Sequence, residues 1–583
     1  MTLNALRSVG DLPAMRDLPT VRDLSAVHDL PAVRDLLTVH ELPTVHDLPT
    51  VHDLHALPVP EAGAPALHAV LAPTDTPTPG PSALTQLAHG IGSQHDLPIS
   101  PFYAYAGAFT ALLVSFLALG LLWSTSRFRG DRSGLALPRP VQRLADARTT
   151  RRVLRVLGLA AALFVLVHLL FGPDDPERNP APGAVHVLFW VGLVPASLLF
   201  GPVWRLLNPL RTLHAAGCRA LRRDPEAGRP LPPWLGMWPA AAGLFAYTWL
   251  ELASPDPASR TALLVFLLTY AAVHLAAATW FGARWFTQGD AFEAYSTLFA
   301  RLSPVGRRRD GRLVLRNPFH GLDATPPVPG LVATVCVMLG STAYDGYSDS
   351  PSWITTLQTS SLGRTATATL GLLGAVALVA ALYSLCAGAT RAFARRPAAA
   401  KTTARPDPRP TAEPDPRPST AKTIPTAPKI TAPKIAAPQT PTPKAPAPAA
   451  PAPTNLDAPA GTPRRTPVTT PPHPRAAFAH SLIPIALGYL IAHYFTLFVT
   501  EGPRTVIVAS GTDNPVPPEP LLDPGGTAAL QVIAIIAGHV LGVVAAHDRA
   551  VRLLPPEKAI AGQLPLFALM IAYTLGGLGL LIA

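Results

Sequence analysis

Cysteine is almost missing from this chain. Three residues of 583 (Cys218, Cys336 and Cys386) cannot build a disulfide framework. Charge is scarce as well. Asp, Glu, Lys and Arg make up 14% of the sequence, where soluble domains carry about a quarter, so a single soluble enzyme domain is excluded. The short signatures of common chemistries are absent: no Walker loop, dinucleotide fingerprint, Gly-x-Ser-x-Gly elbow, Cys-x-x-Cys or His-Glu-x-x-His. These absences argue against an ATP-driven pump and a membrane serine protease. Nor do the apolar segments form a clear inverted repeat of the transporter kind. What the chain has in excess is proline, 69 residues, beside 49% apolar residues and a mean hydropathy of +0.28. Apolar helices joined to proline-rich coil account for both.

Two segments hold much of the coil. Residues 9–56 repeat with a period of six, approximating Val-(His/Arg)-Asp-Leu-Pro-(Ala/Thr). Proline recurs at the fifth place of the repeat, in five of the eight copies, and breaks a helix, and the turn glycines of a six-residue β-helix are missing. The tract reads as a disordered tail of slippage origin or the product of a misplaced start codon. Its recurring His28, His40, His46 and His52 also suit a metal-binding tract. The second segment, 395–475, holds 23 prolines and has almost nothing to bury, so it reads as an extended linker.

The rest is dominated by apolar runs, and about 20 such residues span a bilayer core. Ten segments qualify: Phe102–Trp123, Val153–Phe171, Ala184–Trp204, Trp234–Ala253, Thr261–Ala283, Val328–Tyr344, Thr365–Gly388, Phe478–Val499, Thr527–Ala546 and Gln563–Ala583. The sixth is the weakest, being short and interrupted by Gly330, Gly340 and Ser341. Lys plus Arg in the nine successive loops number 8, 1, 6, 1, 7, 1, 14, 1 and 3. Strict alternation of this kind is what the positive-inside rule predicts. The expectation is an all-α integral protein of the cell membrane with about ten spanning helices. Residues 1–101 form an extracytoplasmic tail, 102–394 carry helices one to seven, 395–475 are a cytoplasmic linker, and 476–583 carry helices eight to ten. Both termini lie outside. The net charge of +11 then records topology, and the expected partners are lipid and a small-molecule substrate rather than nucleic acid; the oligomeric state is left open.

An outside amino terminus has to be translocated. Ala83-Leu-Thr-Gln-Leu-Ala88 has the small residues of a signal-peptidase site, but Pro73, Pro77, Pro79 and Pro81 spoil any apolar region before it. A short, weakly charged tail also crosses without a signal. Cleavage there would make His89 the terminus, where amine and imidazole form a chelating pair.

Ionisable residues in spanning helices are costly and are functional candidates by default. The expected topology puts His168, His186, Glu251 and His493 toward the outside, and His274 and His539 near mid-depth. Asp345 and Asp349 are expected just beyond the sixth helix. Imidazole with carboxylate is the usual ligand set for zinc or copper, and a metal-bound water supplies hydroxide. Against this, a lone membrane histidine often only hydrogen-bonds a carbonyl on a neighbouring helix. No pair has tight ligand spacing, and His539 and His547 lie ~12 Å apart along one helix. The pattern Leu-x-Asn-Pro-apolar-basic-x-Leu occurs twice in basic loops, at 206–213 and 315–322. Asn before Pro starts helices well, and such helices suit an anionic lipid surface.

Several of these motifs resemble one family. They are His89-Gly-Ile-Gly with Asp96-Leu-Pro, Phe200-Gly-Pro-Val-Trp-Arg with Asn208-Pro, and Arg316-Asn-Pro-Phe. Gly340-Ser-Thr-Ala-Tyr-Asp-Gly-Tyr and Tyr573-Thr-Leu-Gly-Gly-Leu-Gly complete the set. The family is the bacterial multi-pass membrane proteins labelled fenitrothion hydrolase. The resemblance covers the membrane core and neither low-complexity tail, and it carries no catalytic residues over. Family members begin with a signal-like segment ending before His-Gly, where this chain has prolines. The resemblance implies a phosphotriester hydrolase that cleaves organophosphorus esters; with the ligand set above, the expectation is metal-assisted hydrolysis at an outward-facing site. The histidines alone equally suit a transporter or metal-handling permease.

Overall fold

The computed structural model describes residues 100–390, Phe393, 474–512 and 519–582. The hexapeptide tract, the Ala83–Ala88 segment, His89 and linker residues 395–473 lie outside the described residues.

The described chain is nearly all helical. In order it forms α1 (Pro101–Leu122), β1 (Leu135–Ala136), α2 (Arg139–Asp146), α3 (Arg148–Phe171), α4 (Pro180–Phe200) and α5 (Pro209–Ala220). Next come α6 (Trp238–Leu252), α7 (Arg260–Phe281), α8 (Trp285–Gly289), α9 (Ala291–Phe299), β2 (Val305–Arg307), β3 (Leu313–Leu315) and α10 (Pro318–Asp323). The last are α11 (Leu331–Ser348), α12 (Pro351–Thr359), α13 (Arg364–Thr390), α14 (Leu482–Ala509), α15 (Pro524–Leu553) and α16 (Leu564–Ile582).

Eight helical segments among the described residues are long and apolar enough to cross a membrane: α1, α3, α4, α7, α13, Arg475–Ala509 (which includes α14), α15 and Ala561–Leu580 (most of α16). The two other expected segments are also helices, α6 of 15 residues and α11 of 18. Both are largely buried, covering Leu244, Tyr247 and Leu250, and Val335, Cys336 and Leu339. A helix that meets protein over much of its length need not be uniformly apolar in composition.

The centre of the bundle is α14, which packs on α15, α11 and α4. Small residues let α14 and α15 approach closely: a Cβ on Gly488 would lie 2.4 Å from the Ala534 carbonyl oxygen. Small residues of this kind let helix backbones approach closely.

Loops of like parity meet at the same end. At one end, β1 of the first interhelical loop pairs with β3 of the fifth, in a three-stranded sheet of order β1-β3-β2. Arg309 reaches Asp131 at 2.8 Å there, and Arg549 and Arg552 reach Asp323 at 3.0 Å. At the opposite end, Arg260 bonds the Gly172 carbonyl and lies 3.1 Å from Asp174. The small sheet is a feature the all-helical expectation did not contain.

The fifth loop differs from expectation in a second way. It turns back into the bundle as α8 and α9, and almost all of Trp285–Leu302 is buried. Trp285 Nε1 donates to His274 Nδ1 (3.0 Å), and Tyr270 OH donates to Asp290 Oδ1 (3.2 Å). Tyr270 lies eleven residues, ~16 Å, before the end of α7, so the turn at Asp290 sits deep in the bundle. Non-helical backbone is tolerated at that depth only when protein covers it. Here Asp290 Oδ1 caps α9 by accepting from Glu293 N, while Asn208 Nδ2 donates to Asp290 Oδ2.

Both Asn-Pro motifs start helices as expected. Asn208 accepts from the Leu210 and Arg211 amides at the head of α5, and Asn317 accepts from Phe319 N at the head of α10.

Candidate functional site

Three helices of the bundle bring ionisable groups together near the end opposite the sheet: α6 through Glu251, α11 through Asp345, and α14 through His493 and Tyr494. The sequence expectation placed Asp345 outside the sixth helix. Instead α11 continues to Ser348, and Asp345 is 0% exposed. The helix extends because Tyr344 and Tyr347 pack on the Trp353 ring, while the carboxylate faces α14. His493 Nε2 lies 2.6 Å from Asp345 Oδ2, and Tyr494 OH donates to the same oxygen at 2.7 Å. The Tyr494 hydroxyl bonds this carboxylate oxygen and the His493 ring lies against it, away from water, where electrostatic contacts are strong. Asp349 is the residue that caps the end of α11, one turn beyond Asp345.

Glu251, 4% exposed, lies within electrostatic range of Asp345. Its Oε2 is buried with no hydrogen-bond partner among the described residues. It lines a cleft at this end of the bundle, with a cavity volume of about 50 Å³. His186 is in the cleft wall, in a π-helical stretch of α4, Ala184–Val191. Such stretches frequently mark functional sites. Its Nδ1 is 3.1 Å from Tyr247 OH and its Nε2 is 3.1 Å from the Pro257 carbonyl. Nε2–H donating to the carbonyl and Nδ1 accepting from the tyrosine is the pattern of a neutral imidazole.

The remaining wall comes from the far end of α14. Arg504 Nη1 donates to Glu501 Oε2 at 3.1 Å, and Thr505 Oγ1 donates to the Glu501 carbonyl at 2.7 Å. The sequence reading ended this helix at Val499 and counted Arg504 in a loop. The helix continues to Ala509 through Pro503. Glu501 and Arg504, one turn apart, neutralise each other, and the apolar Val506-Ile-Val-Ala509 beyond them was the signal that the helix had not ended.

The six candidate metal ligands do not assemble into one set. His168 Nδ1 bonds its own Phe164 carbonyl (2.9 Å), His274 accepts from Trp285, and His539 Nδ1 bonds its own Ile535 carbonyl (2.8 Å). His186 and Glu251 share the cleft, whereas His493 is held by Asp345. Among the described residues, no group of three or more His, Cys, Asp or Glu could hold a metal ion. The expected zinc or copper centre therefore has no ligand set among them: most of these histidines hold carbonyls or ring partners, and Asp345 is taken by His493 and Tyr494. Tyrosine was the residue type overlooked, since Tyr247, Tyr295 and Tyr494 all surround Glu251.

The end bearing the sheet is closed by ion pairs. Asp548 accepts from Trp123 Nε1, Ser126 Oγ and the Arg127 and Phe128 amides, and Arg552 bridges it to Asp323. Nearby, His320 Nδ1 accepts from Arg129 N at 2.9 Å. Desolvation holds the His320 pKa below its ordinary value, with the neighbouring Arg129 and Arg316 charges acting in the same direction and Asp323 and Asp548 opposing.

No family model, curated protein or solved structure matches the chain.

Proposed function

We propose that the chain is an integral protein of the cell membrane that crosses it ten times and transports a small charged solute. Hydrogen-bonded contacts between loops of like parity support counting α6 and α11 as spans. The loop charges support placing the sheet end in the cytoplasm and both termini outside. The observation that carries the transport reading is the buried Asp345–His493–Tyr494 contact, with Glu251 beside it and a cleft opening from Glu251. Ionisable groups inside spanning helices mark solute and ion pathways. A cleft at one end and an ion-paired seal at the other are the two halves of an alternating-access device.

The second reading is hydrolysis of organophosphorus triesters, which the family resemblance implies. Its specific support is the unpartnered Glu251 oxygen, placed where a carboxylate would activate a water in the cleft. Purified protein in proteoliposomes tests both. Charge movement is recorded against a panel of protons, alkali cations, small amines and small anions, and triester turnover is measured on the same preparation. Charge movement that Asp345→Asn abolishes supports transport. Turnover that Glu251→Gln abolishes, without charge movement, replaces transport by hydrolysis.

A further inference from the structure

The cleft at Glu251 has a lining that selects its ligand. Four of its residues are prolines (Pro176, Pro180, Pro182 and Pro257), which have carbonyl acceptors but no backbone N–H. The Arg504 charge is matched by Glu501, and both ring nitrogens of His186 have partners. What remain are Glu251 Oε2, buried and without a donor, and Arg504 Nε, a buried donor without an acceptor. A buried carboxylate oxygen left in that state is costly unless a ligand supplies the missing hydrogen bond or charge. Val187, Leu497 and Val508 form the apolar part of the wall.

With Glu177, Glu251 and Glu501 against the single Arg504 charge, the lining carries more negative than positive charge, and it offers a small apolar surface next to an acceptor. A bare alkali ion gains nothing from the apolar wall, which an alkyl group would bury. An anion would meet an uncompensated carboxylate. We infer that the cleft binds a small protonated amine, its N–H groups donating to Glu251 Oε2 and its short alkyl group lying against Val187, Leu497 and Val508. The volume of about 50 Å³ limits the ligand to a few heavy atoms, the size of methylammonium or ethylammonium. This names the solute class of the site used in the transport reading, and shares Glu251 with it.

The test is equilibrium binding of radiolabelled methylammonium to the purified full-length protein in nanodiscs. Saturable binding is expected. Ethylammonium should compete, while sodium and tetramethylammonium, which lack N–H donors, should not. Glu251→Gln should weaken binding by about 10–100-fold, the loss of a charge-assisted hydrogen bond. The competition series uses unmodified protein, so it decides the matter even where the variant does not fold. No saturable binding, or equal competition by tetramethylammonium, overturns the inference. Binding without charge movement would leave the site standing and remove transport. Charge movement without amine binding would do the reverse.

Discussion

The contact between His493 and Asp345 gives the sharpest energetic prediction. At the observed 2.6 Å, a pair of unit charges attracts by ~6 kcal/mol at an effective dielectric constant of about 20. Desolvation of two buried groups offsets much of that. The quantity a substitution reads is the cost of leaving one partner alone, about 3–5 kcal/mol for a buried pair. Asp345→Asn also weakens the acceptor of the Tyr494 hydroxyl, so its cost should lie at the upper end. His493→Leu removes one donor and leaves the carboxylate to Tyr494. Each single variant should lower the melting temperature in detergent by on the order of 10 °C. The double variant should cost clearly less than the sum, with a coupling energy of about 1–3 kcal/mol in the cycle. Additive losses, agreeing within about 0.5 kcal/mol, would show that this short contact carries no energy and that the core is not organised around it.

Three further perturbations address the frame that holds the site. In Gly158→Ala the added Cβ would sit 1.7 Å from the Leu207 carbonyl oxygen, so α3 must move away from the turn before α5; a stability loss of about 3 kcal/mol or more is expected by thermal unfolding, beyond ordinary overpacking, and a wild-type transition would contradict the packing. Asp548→Ala leaves the Arg127 and Phe128 amides without their acceptor, so hydrogen exchange over residues 123–128 should accelerate; unchanged protection would show that the seal is held elsewhere. The neutral His320 ring accepts from Arg129 N, and its folded pKa is depressed, so this contact contributes stability above the unfolded value of about 6.5 and loses it as pH falls through the lower folded value. The protection factor at Arg129, which removes the intrinsic pH dependence of exchange, should therefore fall on acidification in wild type and be flat in His320→Gln.

The apolar runs were enough to locate all ten helices, because length and hydropathy are local properties of a segment. The three failures have one physical origin. Asp345, Glu501 and Arg504 looked like the ends of helices because charge usually marks water, yet each is buried against a partner from another helix or the next turn. Likewise, Trp285–Leu302 looked like part of a basic loop. It is a buried hairpin because Tyr270 and Asn208 supply hydrogen bonds to Asp290 that composition cannot reveal. The histidines were conspicuous in the sequence, but most bond a nearby carbonyl or ring. The site centres instead on two carboxylates, and their convergence depends on how α6, α11 and α14 pack.

The most direct measurement of the central claim is charge movement by purified protein in proteoliposomes, wild type beside Asp345→Asn. The account predicts a solute-dependent current for wild type and none for the variant, at equal protein incorporation. Equal currents from both, or wild-type records matching protein-free liposomes across the solute panel, would contradict it.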